Sequence, residues 1–357
     1  MPKNRPKVLL ITNCVPLYRQ KLYERLGSVF ELTIAHFGPH VGSDAFTEVI
    51  CPKCHVGPLM SASGAPDPDK YDVVIVWSAL RLLEMYRYVL RRKRNYKVIL
   101  FGPGVASSYT KHYDADGKVS LVMKWLLQHS DAAIFYDHYP LVRYSALGVS
   151  PEKLFVAYNT IVVDDETVVS NPPEKSEFVF VGTIYKEKGI LLLLNAYKLL
   201  IEKNGGQFPH LNIIGDGPDL GRLKEWVSEN QLNEHVFFRG RITDENQLRG
   251  YFSRAMACVS PKQAGLSVQQ SFAFGAPFLT EKYPITGGEF SAVIDNVTGF
   301  LYDGTLSGLC DRLENVRAMD KELLSTMSEN CRDYYERFRS PSAWVRSFEH
   351  AVQFVLA

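Results

Sequence analysis

Short apolar runs rich in β-branched and aromatic residues alternate with amphipathic stretches along this chain, break off at a proline pair, and then resume. KVLLITN (7–13) leads into PLYRQKLYERL, where Tyr18, Leu22 and Leu26 recur at every fourth position. That is a strand followed by an amphipathic helix. ELTIAHF (31–37), YDVVIVWS (71–78), KVILFGPG (97–104), DAAIFYD (131–137) and LFVAYNT (154–160) extend the series, with a helix predicted from about Arg81 to Arg94. Strands spaced by helices imply a parallel sheet covered on both faces.

Residues 165–176, DETVVSNPPEKS, interrupt the pattern and read as a linker around Pro172 and Pro173. Strands then recur at FVFVGTI (178–184), LNIIGDGP (211–218), VFFRG (236–240), ACVSP (257–261), PFLTE (277–281) and TGFLYDG (298–304). Helical patterns lie between them (ILLLLNAYKLLIEK, LGRLKEWVSENQL, NQLRGYFSRA, LSVQQSFAFG), and the remainder is mostly helical. The expectation is an α/β protein of two doubly wound units, and 357 residues suit two domains. The expected bounds are 1–165, 177–330 and a C-terminal helix, 331–357, packing back toward the first domain. Ligands of open α/β sheets sit beyond the carboxyl ends of the strands, so two such units facing one another would share a central cleft.

Composition narrows the function. The chain is 46% hydrophobic and 22% charged, which is globular. Lys+Arg 40 against Asp+Glu 39 disfavours a general nucleic-acid binder. No apolar run is long enough to span a bilayer, and MPKNRPKVLLITN reads as a buried first strand rather than a signal peptide. The cysteines, at 14, 51, 54, 258, 310 and 331, suit reduced thiols in a cytoplasm. Cys51-Pro-Lys-Cys54 followed by His55 lacks a second CxxC, so it reads as a loop with two free thiols and no metal.

The turn after the first strand, TNCVPLYR, carries no G-x-G-x-x-G, which disfavours a dinucleotide dehydrogenase. Walker, G-x-S-x-G and HExxH motifs are also missing. The phosphate signal lies in the second half. FVGTIYKEKG sets Gly182 after a strand and Lys188 near the next helix start, where an anion would be held. In SPKQAGLSVQQSFAFGAP (260–277), the amides of Gly265, Leu266 and Ser267 would head a helix toward a phosphate. The Gln270 amide can donate to and accept from a diol such as a ribose.

Taken in order, FVGTIYKEKG, IIGDGPDLGRL, VFFRGRI, ACVSPKQAGLSVQQSFAFGAPFLTE and GGEFSAVIDNVTGFLYDG resemble the C-terminal domain of retaining GT-B glycosyltransferases, within them glycosyltransferase family four. VPLYRQKLYERL and DAAIFYD…ALGVSPEKLFVAYNTI are similar to that family's first domain and its crossing into the second. The resemblance implies that Lys188 neutralises a donor diphosphate and that Gly182, Thr183, Gly265, Leu266 and Ser267 surround it. It implies that Gln270 binds the ribose, that Arg239, Gly240, Arg241 and Ile242 lie against the base, and that Glu289 sits near the donor sugar. Arg19, Gly104 and His138 fall on the acceptor side.

The sequence departs from the family at four places. Thr183 stands where the family has an arginine, and Lys262 and Gln270 replace its pair of glutamates eight positions apart. Gly102-Pro103-Gly104 replaces a Gly-His-Gly turn. The implied activity is metal-independent, retaining transfer of a hexose from a UDP- or GDP-linked sugar to a glycan or lipid-linked glycan. No cofactor is implied, and bacterial surface polysaccharide is the setting. The alternatives are a nucleotide-sugar epimerase and a non-catalytic nucleotide-sugar-binding protein. The stretch RLLEMYRYVLRRKRNYK (81–97) reads as a basic amphipathic helix, which suggests a peripheral seat on the inner face of an anionic membrane for an otherwise cytoplasmic protein.

Overall fold

The computed structural model of the chain describes residues 5–106, 112–114, 121–163 and 173–357. It divides into two compact units. Apart from His112 and Tyr113, which group with the second unit, the first runs to Val162 and recovers the chain at Phe338.

In the first unit the strands are β1 (Lys7–Ile11), β2 (Glu31–His36), β3 (Thr47–Ile50), β4 (Lys53–Val56), β5 (Leu59–Ala62), β6 (Val73–Trp77), β7 (Lys97–Gly102), β8 (Ala132–Phe135) and β9 (Leu154–Val156). Seven of them form one sheet in the order β3-β2-β1-β6-β7-β8-β9, every pair parallel. The order runs outward from β1 in both directions, so the crevice between β1 and β6 is the switch point. Helices α1 (Leu17–Val29), α2 (Leu83–Leu90), α3 (Leu121–His129) and α4 (His138–Ala146) connect the strands. Leu22 and Leu26 of α1 pack with Val8 and Leu10, while Leu82, Met85, Val89, Leu126 and Tyr144 pack with Leu9 and Ile11. Successive strand residues point to opposite faces, so α1 covers one face and α2, α3 and α4 the other.

Three local expectations change here. The CxxC segment is not a plain loop: Lys53 to Val56 pair antiparallel with Leu59 to Ala62 in a small hairpin. Cys51 is buried and Cys54 exposed, both free thiols. The strand expected at 154–160 ends at Val156. The basic helix expected from Arg81 to Arg94 is shorter, because Arg91 already has extended backbone (ψ 116°). Arg94 turns back to donate to the carbonyls of Tyr88 and Val89, closing the helix end. Arg91 and Arg94 are also drawn off by Asp69 and Asp131.

The second unit contains β10 (Glu177–Val181), β11 (Leu211–Ile214), β12 (Val236–Gly240), β13 (Ala255–Val259), β14 (Gln263–Ala264), β15 (Phe278–Glu281), β16 (Ile285–Thr286) and β17 (Gly299–Tyr302). Its six-stranded parallel sheet has the order β12-β11-β10-β13-β15-β17, again a doubly wound arrangement with the switch point between β10 and β13. The helices are α5 (Ile190–Lys203), α6 (Leu220–Glu229), α7 (Glu245–Arg254), α8 (Ser267–Ala273), α9 (Leu306–Arg317) and α10 (Lys321–Tyr334). The predicted linker, apart from 173–176, lies outside the described residues.

The last helix, α11 (Pro341–Leu356), belongs to the first unit. Trp344, Phe348, Ala351 and Val352 join the core that α1 helps to build. Phe348 meets Phe101 of β7 at 4.9 Å, near edge-on. Thr160 Oγ1 donates to the carbonyl of Arg339, tying together the two places where the chain passes between units. Among the described residues no helix is long and apolar enough to cross a membrane.

Candidate active site

The switch point of the second unit is shaped by glycines. The turn after β10 and the turn after β11 touch through backbone: Gly182 N donates to Ile214 O at 3.0 Å and Ile184 N to Asp216 O at 2.9 Å. A Cβ at Gly215 would stand 1.9 Å from the Gly182 carbonyl oxygen, and Gly215 has φ +147°. Only glycine allows that approach.

Beyond this turn, Lys186–Lys188 form one turn of 3₁₀ helix, ended by Gly189 at φ +73° before α5 begins. Lys188 is 8% exposed. Its Nζ lies 3.6 Å from where a Gly182 Cβ would be, and 5.8 Å from the centre of the Tyr185 ring. Burial pushes its pKa down to about 8, although Cys258 and Glu289 pull the other way. Burial also pushes the Cys258 thiol up to about 12, so at neutral pH it is an uncharged thiol and Glu289 is the nearby negative charge. The positive end of α5 disfavours a cation in the same place. A buried ammonium at a helix N-terminus is in surroundings that an incoming anion would relieve.

The segment after β13 lies alongside. Ser260 Oγ donates to Gln263 O at 2.6 Å, and Tyr185 Oη donates to Gln263 Oε1 at 2.5 Å. This last bond joins the turns after β10 and β13, and nothing local in the sequence announces it. The exposed Lys262 side chain lies against Gly189, where an added Cβ would meet Lys262 Cγ at 2.8 Å. The β14–β16 ladder, Gln263 with Ile285 and Ala264 with Thr286, sets the segment carrying Glu289 beside it. Glu289 is buried; its Oε2 accepts from Gly287 N at 2.9 Å and from Thr286 Oγ1 at 3.4 Å.

Gly265 and Leu266 precede α8, and Ser267 is its first residue. The first N–H groups of a helix have no partner within it. Gln270 is half-buried on α8. Its neighbour Gln269, which sequence reasoning passed over, is fully buried, and neither amide atom has a hydrogen-bond partner among the described residues. Thr183 is exposed in the turn after Gly182. Arg239 is exposed, and its Nε donates to Asn212 Oδ1 of the neighbouring strand at 2.8 Å; Arg241 and Ile242 follow β12 in a loop. The structure therefore gathers Gly182, Lys188, Lys262 and Glu289.

The three residues of the first unit have different surroundings. Arg19 is buried, donating to Tyr136 Oη and Asn159 Oδ1 at 2.7 Å each. Its guanidinium lies 4.5 Å from the Tyr136 ring centre. Gly104 has φ +72° and is packed against Phe135 and Pro140. His138 is exposed at the start of α4, after the capping residue Asp137. Among the described residues no three His, Cys, Asp or Glu side chains are grouped so that they could hold a metal.

Residues 164–333 match the family described as Glycosyl transferases group 1. Over 206 residues the chain is 24% identical to the poly(glycerol-phosphate) alpha-glucosyltransferase of Bacillus subtilis, an alignment spanning 55% of this chain and 29% of that protein. It is 24% identical over 300 residues, 78% of each chain, to an uncharacterized 41.2 kDa protein in the cps region of Klebsiella pneumoniae. The fold is similar to that of the lipopolysaccharide outer core galactosyltransferase WaaB in its apo form, with TM-score 0.69 and 14% identity, covering 97% of this chain and 99% of that one. Anabaena Alr3699/HepE in complex with UDP gives TM-score 0.70 and 13% identity, covering 97% and 99%. With two doubly wound units, a glycine-shaped switch point, and residues 164–333 matching the group 1 glycosyl transferases across the second of them, the chain has the GT-B fold.

Proposed function

We propose that this enzyme transfers a hexosyl group from a UDP- or GDP-linked donor to a glycan or lipid-linked glycan, with retention at the anomeric carbon, in assembly of a bacterial surface polysaccharide. The observation that carries the reading is the buried Lys188 ammonium at the switch point of the second unit, at the start of α5. Departure of the nucleotide puts negative charge on the diphosphate, and preorganised donors in a dry site stabilise it most effectively. Lys188 supplies the cation, and the amides of Gly265, Leu266 and Ser267 supply dipoles. Gln270 takes the ribose, Arg241 and Ile242 the base, and Lys262 and Glu289 border the sugar. Arg19, Gly104 and His138 belong to the acceptor side.

Protein groups carry the charge, so this reading calls for no metal and no cofactor. The released phosphate accepts the acceptor hydroxyl's proton on the face from which it leaves. Names of relatives support the setting: one acts on poly(glycerol-phosphate), one is encoded in a cps region, and a structural neighbour holds UDP. The test is donor hydrolysis with a panel of UDP- and GDP-sugars, followed by the anomeric configuration of the product by NMR. Nucleoside diphosphate release with an unchanged anomer, insensitive to EDTA, is the expected result. An inverted product or strict metal dependence overturns it.

Residues 81–97 provide a peripheral seat on anionic lipid, with Arg92 and Lys93 exposed and the exposed Leu121, Val122 and Trp125 on the neighbouring α3. Pelleting with anionic but not neutral vesicles tests it.

A further inference from the structure

A cavity of about 640 Å³ opens within the first unit, between α2 and the β4–β5 hairpin with the loop behind it. Glu84 lines this cavity and is 1% exposed. Its Oε1 accepts from Ser61 Oγ at 2.7 Å and from Ala62 N at 3.0 Å. Its Oε2 is buried with no hydrogen-bond partner among the described residues. Most buried polar atoms in proteins find a partner, and a carboxylate oxygen left without one favours a ligand that brings a donor.

One turn along α2, Arg87 lines the same cavity. It is exposed, and it has no ion-pair or hydrogen-bond partner among the described residues. Arg91, also in the wall, is already held by Asp69 at 2.5 Å. Between them stands Tyr88, half-buried and also in the lining, its ring edge-on to that of Tyr96 at 6.0 Å. A carboxylate alone would suit a cation or a neutral sugar, and an arginine alone would suit any anion. Both on one wall, with an aromatic face beside them, select a ligand that carries hydroxyls, a negative group and an apolar face together.

We propose that this cavity binds a hexose bearing one anionic substituent, a phosphate or a carboxylate. A ring hydroxyl donates to Glu84, the anionic substituent rests on Arg87, and the C–H face of the ring lies along Tyr88. Side chains three positions apart on a helix share one face, about 5–6 Å apart at Cβ, so one ligand can meet both. The site lies wholly within the first unit and assumes nothing about the donor or about transfer.

Cys54 provides a local reporter, since it is exposed and lines the cavity. The experiment measures alkylation of each cysteine by mass spectrometry in the full chain, with glucose 6-phosphate, glucuronate, glucose or inorganic phosphate added. Glucose 6-phosphate, glucuronate or both should slow labelling of Cys54 about tenfold when present at about ten times Kd. The two arms tell a phosphosugar site from a uronate site. Cys310, in the second unit, should be unaffected, and the Cys54 protection should persist in Lys188→Ala. Arg87→Ala, at an exposed position, should abolish protection without changing Tm, and Glu84→Gln should weaken it. Three results each overturn the proposal: unchanged Cys54 labelling with all four probes, equal protection by inorganic phosphate alone, or full protection in Arg87→Ala.

Discussion

Tyr185 Oη and Gln263 Oε1 are 2.5 Å apart, so a side-chain bond joins the turns that follow the two strands flanking the switch point of the second unit, beside the backbone bond from Lys262 N to Lys188 O at 3.4 Å. The loop carrying Lys188 is thereby tied to the loop that leads to α8. Tyr185→Phe removes the donor and keeps the ring that lies 5.8 Å from Lys188 Nζ. A bond of this kind contributes about 1 kcal/mol, so kcat/KM should fall by roughly fivefold and Tm by no more than about 2–4 °C. Steady-state kinetics with calorimetry checks it; an unchanged kcat/KM would show that the tie does not position the site.

Lys188→Ala should lower kcat about 10²–10³-fold with the fold intact, the size seen when one preorganised donor to a developing charge is removed. Turnover equal to the parent enzyme would take Lys188 out of the chemistry.

The lowered Lys188 pKa has a definite pH signature. Free protein loses this proton as pH rises through about 8, whereas a bound diphosphate lifts the pKa. Binding of UDP should therefore take up a proton above that pH, and affinity should decline by up to about tenfold per pH unit there. For stability the sign is opposite to that of a paired lysine. The unfolded state binds more protons between about 8 and the ordinary lysine value of 10.5, so this group's destabilising contribution is full below about 8 and fades above it. Titration calorimetry in buffers of different ionisation enthalpy reads the proton uptake; no uptake at pH 8.5–9 would contradict it.

Gly215→Ala places a methyl group 1.9 Å from the Gly182 carbonyl oxygen, against backbone that cannot rotate away. The β10 and β11 turns must separate. Donor binding should be lost and Tm should fall by several degrees, as strain at such a φ costs of the order of 1–3 kcal/mol. Wild-type UDP affinity in this variant would refute the tight approach.

Gln270→Ala should mainly weaken donor binding, by about 1–2 kcal/mol, with little change in kcat. Gln270→Glu tests whether a carboxylate grips the diol better; a fall in kcat larger than the change in KM would give Gln270 a different role.

Legibility in the sequence followed the range of the interactions. The β10–α5 segment was readable because its signals are local: an apolar run, a glycine turn, then ILLLLNAYKLLIEK, which is helical over its whole length. The β4 strand was not, since Lys53, Cys54, His55 and Val56 are all exposed and show no alternation to read. The end of α2 was misjudged because its cations are captured by Asp69 and Asp131, distant in sequence. Lys188 could be named from a motif, but its burial, its lowered pKa and the Tyr185–Gln263 bond depend on residues up to 101 positions away, such as Glu289. Between Gln269 and Gln270 the motif chose one, while burial singled out the other.

The return of α11 to the first unit bears on how such enzymes can be recombined. An N-terminal fragment ending near Val162 would leave bare the face that Trp344 and Phe348 cover, so a chimera exchanging the first unit must transplant the final twenty residues along with the front half. The heritable module is discontinuous, and a simple crossover at the linker would break it.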